Sequence, residues 1–306
     1  MKIYIHLGIQ KTGSTFLQKE FFSLYKDKTV YINRSSLAEF KTYILRTDDF
    51  AFQATKAREI FNSIVEKHKV CDRVVLSDEE FYGNPFMGVL DRKRNIDRLV
   101  EVFGDALHVI IFIRNQQPLI DSLYKQYIKT GGTASFKNFI SSNGYPLIFN
   151  IDHLKYDKYL NYVRLKIGQR KLKILLFEEF VNDMQSTLQE LDSFVNESVT
   201  KFDFSPINCK IVNPSLKGGN VPIMRFFNKF TKSPKEPFLF LGIIFHKILR
   251  QFLLKSKFEF FKKRSFFITN EQSIDEIKVS NHNLMKQFST LKFRENNYLI
   301  QKFQKR

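Results

Sequence analysis

Residues 5–18 read IHLGIQKTGSTFLQ. An apolar run ends at Gly8, and Gly13, Ser14 and Thr15 open a segment with helical spacing. The two glycines keep the interval of the phosphate loop G-x-x-x-x-G-K-[ST], but Lys11 precedes the second glycine instead of following it. Backbone N–H groups at a helix start have no partner within the helix, and the dipole places about half a positive charge beside them. Such a start is an anion site on local physics alone. Ser14 and Thr15 add hydroxyl donors, Lys11 adds an ammonium, and the glycine interval lets the backbone wrap an oxyanion closely. A magnesium-bound triphosphate is a poor match. The adjacent Lys-Ser/Thr pair that serves the terminal phosphates and the metal is broken. No strand is expected to end in the aspartate that would complete a magnesium site. No metal is therefore expected.

Two further constellations carry chemistry. Residues 109–131 read VIIFIRNQQPLIDSLYKQYIKTG, with Arg114 at an expected strand end and Ser122 eight residues later. A guanidinium fork and a hydroxyl could meet one phosphate there; equally, Arg114 could cap the sheet edge and Ser122 lie on a polar helix face. Residues 74–83 read VVLSDEEFYG and place Asp78, Glu79 and Glu80 after another strand. These supply a candidate general base, or else an acidic helix start that complements the dipole. Glu178 and Glu179 follow a later strand. His6 is expected to be packed on the first strand, and His153 is a lesser base candidate.

Four apolar runs, residues 3–7, 73–77, 107–113 and 172–177, read as buried parallel strands, and a fifth is expected at 29–32. Helical patterns follow three of them: Leu17, Phe21 and Leu24; Leu119, Leu123, Tyr127 and Ile128; and Val181, Met184, Leu188 and Leu191. The alternation predicts an α/β fold, a P-loop-like central parallel sheet flanked by helices. Ligands of such sheets bind beyond the carboxyl ends of the strands. An anion cradle and free carboxylates on one such edge suggest group transfer to an acceptor.

The 306 residues are 43% hydrophobic, and 34 are Phe, enough for a substantial core. One domain is expected over 1–306: an α/β core to about residue 225, then a helical Phe- and Lys-rich basic extension over 226–306. The formal net charge of +18 points to anionic partners. Residues from 231 on hold 16 basic and 6 acidic side chains, a net +10. Residues 234–264 read either as a wall of the acceptor cleft or as a basic amphipathic face on an anionic membrane. Two cysteines, Cys71 and Cys209, make no disulfide framework. No stretch reaches the roughly 20 apolar residues of a membrane span, and a cytoplasmic protein, with or without peripheral membrane contact, is expected. The weakest boundary lies near residues 213–222.

KTGST after a first strand, together with R-N-x-x-x-x-x-x-S-x-Y after a later one, resembles the sulfotransferases that use 3′-phosphoadenosine 5′-phosphosulfate (PAPS). The resemblance implies that Lys11, Thr12, Gly13, Ser14 and Thr15 bind the 5′-phosphosulfate, and that Arg114 and Ser122 bind the 3′-phosphate. Residues 175–195 are similar to the family's late strand and acidic helix. Residues 215–222, SLKGGNVP, look like the lysine–glycine loop of glycan sulfotransferases and would add Lys217 and Gly218. Asn281–Leu284, in numbers 281–284, look like the family's closing helix. The resemblance covers about residues 1–225. One departure stands out: the family usually has proline before the loop lysine, and this chain has Gln10.

The implied reaction is transfer of the sulfuryl group to a hydroxyl of a carbohydrate, with PAPS as co-substrate. The expected acceptor is a capsule, a lipopolysaccharide or another glycan, free or lipid-linked. Lys11 would stabilise the leaving oxygen, and an acidic residue would take the acceptor's proton. Glycan sulfotransferases use a glutamate after the second strand, and Ser77-Asp78-Glu79 fits the bacterial Ser-x-Glu spacing. Glu79 is chosen over Glu80. A nucleotide kinase and a non-enzymatic nucleic-acid binder are the rival readings; the first needs an intact triphosphate loop, and for the second no stacking module is found, so nucleic acid is not an expected partner.

Overall fold

The computed structural model describes residues 1–68, 71–87, 91–141, 148–197, 207, 216–230, 248, 251–252 and 265–288. Five strands form one parallel sheet: β1 (Lys2–Leu7), β2 (Thr29–Ile32), β3 (Arg73–Asp78), β4 (Leu107–Ile113) and β5 (Leu172–Leu176), in the order β2-β3-β1-β4-β5. All five expected strands are present. The chain builds one side of β1 first, then crosses to the other, so the strand order reverses beside β1. In such sheets the crevice at that reversal is the ligand site.

Side chains alternate between faces with the strand period. Ile3, Ile5 and Leu7 of β1, with Val109, Ile111 and Ile113 of β4, enter one core. Tyr4 of β1, with Ile110 and Phe112 of β4, enters another on the opposite face. The first core is roofed by α2 (Ala38–Arg46), α3 (Ala54–Val65), α4 (Arg92–Phe103), α5 (Gln116–Lys129) and α7 (Tyr156–Ile167), with the short α6 (Phe136–Phe139) beside α5. The second is roofed by α9 (Met184–Asn196) and by the helical segment after β1. That segment is α1 (Ser14–Phe16), a π turn over Leu17–Phe21 and a 3₁₀ turn over Phe22–Leu24. Leu17 and Phe21 are buried as expected.

The expected face after β5 needs correction. Val181 is 62% exposed, and Phe180 is buried in its place. Asp183 leaves helical geometry at φ −142° and caps the next helix through Ser186 N, separating α8 (Phe177–Asn182) from α9. The break shifts the helical register, so Val181 does not share the face of Leu188 and Leu191.

The C-terminal region is tied to the core. α10 (Val221–Asn228) starts with Pro222 in its first turn, and Asn228 Nδ2 donates to the carbonyls of Ile128 and Gly132, each at 2.8 Å. α11 (Glu271–Gln287) lies on α7. Gln116 Nε2 donates to Asn281 Oδ1 at 2.6 Å, and Asn281 Nδ2 donates back to Gln116 Oε1 at 3.3 Å, both buried. Phe266 N donates to Asp121 Oδ1 at 3.0 Å. Asn281 is thus bonded into the start of α5. Cys209, Lys262, Lys263 and Arg264 lie outside the described residues, as does most of 234–264. Among the described residues no helix is long and apolar enough to cross a membrane.

Candidate active site

The loop after β1 folds tightly because Gly8, Lys11 and Gly13 permit it. A Cβ at Gly8 would stand 2.6 Å from Ser14 Oγ and 3.1 Å from Glu79 Cγ. Lys11 and Gly13 adopt left-handed backbone, at φ 69° and 87°. Lysine rarely adopts that conformation, which is held only where the surroundings impose it. Thr12 Oγ1 donates to the Ile9 carbonyl at 2.6 Å, and Arg114 Nη1 donates to the Lys11 carbonyl at 2.6 Å. These two bonds fasten the loop to itself and to the end of β4.

The donors of the loop are left over. Ser14 is 4% exposed and its Oγ has no partner. Arg114 Nε likewise has none. Lys11 Nζ donates to the neutral amide of Gln126 at 2.8 Å. Burial, with Lys129 and Arg114 nearby, pulls the Lys11 ammonium down from its usual 10.5 to about 8, against a smaller upward pull from Glu79. Burial also lowers Arg114, opposed by Glu178, and its guanidinium lies 4.5 Å from the centre of the Phe177 ring. Among the described residues no carboxylate pairs with either cation. A set of donors at a helix start, with two cations that no carboxylate pairs with directly among the described residues, is suited to an anion. A buried hydroxyl left unpaired costs about 1–3 kcal/mol, and glycine at position 8 is what lets Ser14 and Glu79 approach the loop this closely.

One strand over, the carboxylates are arranged differently. β3 runs through to Asp78, so a strand does end in an apolar run plus aspartate, contrary to the expectation from sequence. Asp78 is fully buried, accepts from Arg34 Nε and Lys41 Nζ at 3.0 Å each, and caps the amide of Glu80 at 2.9 Å. Glu79 pairs with Arg34 at 3.3 Å, and Glu80 with Arg46 at 3.2 Å and Lys41 at 3.5 Å. The three carboxylates after β3, expected to be free, are therefore all ion-paired, whereas Glu178 after β5 accepts from Asn115 N at 3.0 Å. The cations come from the segment between β2 and α2 and from α2 itself, which no local spacing connects to residues 78–80. The two glutamates also part company in space. Glu79 abuts Gly8 of the loop, whereas Glu80 turns to α2 and lines a separate cleft.

Behind this edge lies a network that sequence reasoning did not assemble. His6 Nδ1 and Ser77 Oγ are hydrogen-bonded at 2.8 Å, and Gln18 Nε2 donates to Ser77 O and Oγ at 3.2 and 3.1 Å. It joins β1, β3 and the loop helix directly under Gly8 and Glu79. Burial drives His6 down to about 3, so it is a neutral, packed residue as expected. His153 is also fully buried, against Tyr82 and Phe149, and burial pushes it to about 3. That enclosure removes it as a base for an incoming acceptor.

No family model matches the chain, and no curated protein does. Solved structures do. A sulfotransferase from Alicyclobacillus acidocaldarius matches with a TM-score of 0.50 and 16% identity, over 70% of this chain and 87% of that one. The chain has the sulfotransferase fold. A sulfotransferase domain from the curacin biosynthetic pathway matches at a TM-score of 0.40 and 15% identity, over 64% of this chain and 73% of its own. A mouse sulfotransferase complexed with PAP matches at 0.41 and 9%, over 94% and 86%.

Within this sulfotransferase fold, the expected site residues fall as follows. Lys11, Thr12, Gly13, Ser14 and Thr15 form one loop at the strand reversal, and Arg114 joins it. Ser122 is half-buried in α5. It stands one turn before Gln126, and residues four apart share a helix face. Ser122 thus lies on the side of α5 that reaches Lys11. Thr12 spends its hydroxyl inside the loop. Lys217 is half-buried at the start of the 3₁₀ turn Gly218–Asn220, where Gly218 is buried, and this turn leads into α10 beside α5. Gln126, which holds Lys11, was not anticipated; its only sequence signal is its place four residues beyond Ser122. Gln10 donates to the Gly83 carbonyl at 3.4 Å, joining the loop to the segment after Glu80.

Proposed function

We propose that the protein is a sulfotransferase that uses PAPS and a carbohydrate hydroxyl as its two substrates. The observation that supports this most is the loop at residues 8–15. It joins a buried Ser14 hydroxyl, unpaired among the described residues, to two half-buried cations that no carboxylate pairs with directly among those residues, Lys11 and Arg114. The amides of residues 12–15, the Ser14 hydroxyl and Lys11 would hold the 5′-phosphosulfate; Arg114 and Ser122 would hold the 3′-phosphate, with Lys217 and Gly218 closing over the nucleotide. Bound, PAPS supplies a sulfuryl group on a phosphate leaving group.

Lys11 balances the charge that gathers on the leaving oxygen; preorganised in a dry site, it needs no rearrangement to do so. Its left-handed backbone and the bond from Arg114 to its carbonyl fix where the side chain departs. Glu79 accepts the proton of the acceptor hydroxyl, because it is the carboxylate that abuts the loop, and Arg34 keeps it oriented. Glu80 remains the alternative base. A lipid-linked acceptor, contact of residues 234–264 with an anionic membrane and action from the cytosol belong to the same proposal. Binding to anionic liposomes, lost on replacing Lys262, Lys263 and Arg264, is the check on the membrane part.

The decisive experiment is calorimetry with 3′,5′-adenosine bisphosphate. Micromolar binding is expected, and it is lost in Lys11→Ala and in Arg114→Ala. Undiminished binding in both variants overturns the site assignment.

A further inference from the structure

The chain carries a net charge of +18, which by itself favours a polyanionic acceptor. The cleft beside the carboxylate edge has the opposite character. It has a volume of about 390 Å³ and lies between the end of α2, the segment after β3 and the start of α4. Its polar lining is Arg46, Asp49, Glu80, Asn84, Asp91 and Arg94, two cations against three carboxylates. The cations are already engaged. Arg46 pairs with Glu80 at 3.2 Å, and Arg94 lies 3.9 Å from Asp49. From behind the cleft, Arg98 holds Asp49 at 2.5 Å and Lys41 holds Glu80 at 3.5 Å. Among the described residues, each cation of this wall already faces a carboxylate.

What is left over is hydrogen-bonding capacity of both kinds. Among the described residues, Asp91 Oδ1 accepts no hydrogen bond, and Arg94 Nε, 3.9 Å from Asp49 and beyond hydrogen-bond reach of it, donates none. Three residues apart at the start of α4, the two lie on one helix face. A hydroxyl satisfies both, donating to the carboxylate and accepting from the guanidinium. A carboxylate or sulfate on a ligand could use Arg94 alone and would be repelled by Asp91. The cleft is also joined to the loop. Gln10 bonds to Gly83, next to the lining residue Asn84, and Glu80 of the lining follows Glu79 directly.

On the proposed sulfotransferase reading, we infer that this cleft is the acceptor site and that it takes an uncharged, hydroxyl-rich saccharide, excluding polyanionic chains of uronate or already sulfated sugar. Asp91 and Arg94 grip one hydroxyl pair, and the balanced ion pairs around them set the charge specificity.

Saturation-transfer NMR and calorimetry on the full chain, without nucleotide, provide the test. The probes are a neutral hexasaccharide, N-acetylchitohexaose, and an anionic one, hexagalacturonate, both at 150 mM salt. The neutral probe is expected to bind, and to bind about tenfold more weakly to Asp91→Asn and to Arg94→Gln, one charge-assisted hydrogen bond being lost in each. Binding of 3′,5′-adenosine bisphosphate is unchanged in both variants, which also shows that they fold. Asp49→Asn with Asp91→Asn, which frees cationic charge, is expected to improve hexagalacturonate binding. Preference of the native chain for hexagalacturonate, absence of binding by either probe, or neutral binding indifferent to both substitutions would each overturn the inference. If the native chain fails to bind 3′,5′-adenosine bisphosphate while the neutral probe binds through Asp91, the sulfotransferase reading falls and the saccharide cleft stands.

Discussion

The loop after β1 and the carboxylate edge after β3 are neighbours on the same sheet edge, and they solve opposite problems. At the loop, donors lack partners among the described residues: Ser14 Oγ and Arg114 Nε have none there, and Lys11 Nζ has the amide of Gln126. At the carboxylate edge, the acids are matched: Asp78 by Arg34 and Lys41, Glu79 by Arg34, Glu80 by Lys41 and Arg46. Unmatched buried donors store a cost that a ligand repays, whereas matched charges build a fixed wall. The first region is therefore read as binding the anion, and the second as positioning a base and an acceptor.

The sharpest way to break this comparison is at the glutamates. Glu79→Gln is expected to lower the transfer rate by about 10²–10⁴ while leaving 3′,5′-adenosine bisphosphate affinity unchanged. Glu80→Gln, whose carboxylate sits in the cleft, is expected to raise the acceptor KM with a smaller effect on kcat. If Glu80→Gln alone abolishes transfer, the base is Glu80 and the two roles exchange.

Asp78 tests the scaffold. It is buried among Arg34, Lys41 and the Glu80 amide, so Asp78→Ala leaves cations facing a cavity and costs about 3 kcal/mol. Urea unfolding measures it. A loss under about 0.5 kcal/mol, the level of an exposed ion pair, would mean that the wall is not fixed by these charges.

Lys11 tests the cradle by pH. Its folded-state value of about 8 lies below the usual 10.5, so the free protein sheds this charge as pH rises through 8. An anionic ligand needs the ammonium, and its affinity should then fall by up to about tenfold per pH unit above 8. Lys11→Ala, with Arg114 still charged, should bind weakly and show no such slope between pH 7 and 9.5. A slope that persists in Lys11→Ala assigns the titration to another group.

Much of this was legible in the chain. The five strands are apolar runs bounded by polar turns, and all occur, because a parallel sheet buried on both faces leaves little freedom for polar residues. The loop was legible because its chemistry is local: Gly8, Lys11, Gly13 and Ser14 lie within seven residues. The pairing of the carboxylates was not. Arg34, Lys41 and Arg46 stand more than thirty residues from their partners and become neighbours only because β2 lies beside β3 in the sheet. The burial of His153 was hidden for the same reason, since Tyr82, which packs edge-on to it, comes from a distant segment. Val181 failed through one residue, Asp183, whose short side chain caps a new helix instead of continuing the old one.

Gln10, where related loops carry proline, is expected to matter least. A proline before Lys11 would stiffen the loop by fixing φ. Here the stiffness comes from bonds instead: Thr12 Oγ1 to the Ile9 carbonyl and Arg114 Nη1 to the Lys11 carbonyl, both at 2.6 Å. The Gln10 amide adds only a 3.4 Å contact to Gly83, and its own oxygen is unpaired. Gln10→Ala should therefore change 3′,5′-adenosine bisphosphate affinity by no more than about twofold, since a long hydrogen bond contributes at the low end of the usual range. A loss of tenfold or more would show that the loop is held from the carboxylate side. The two regions would then be one coupled unit, and Gln10 the joint between them.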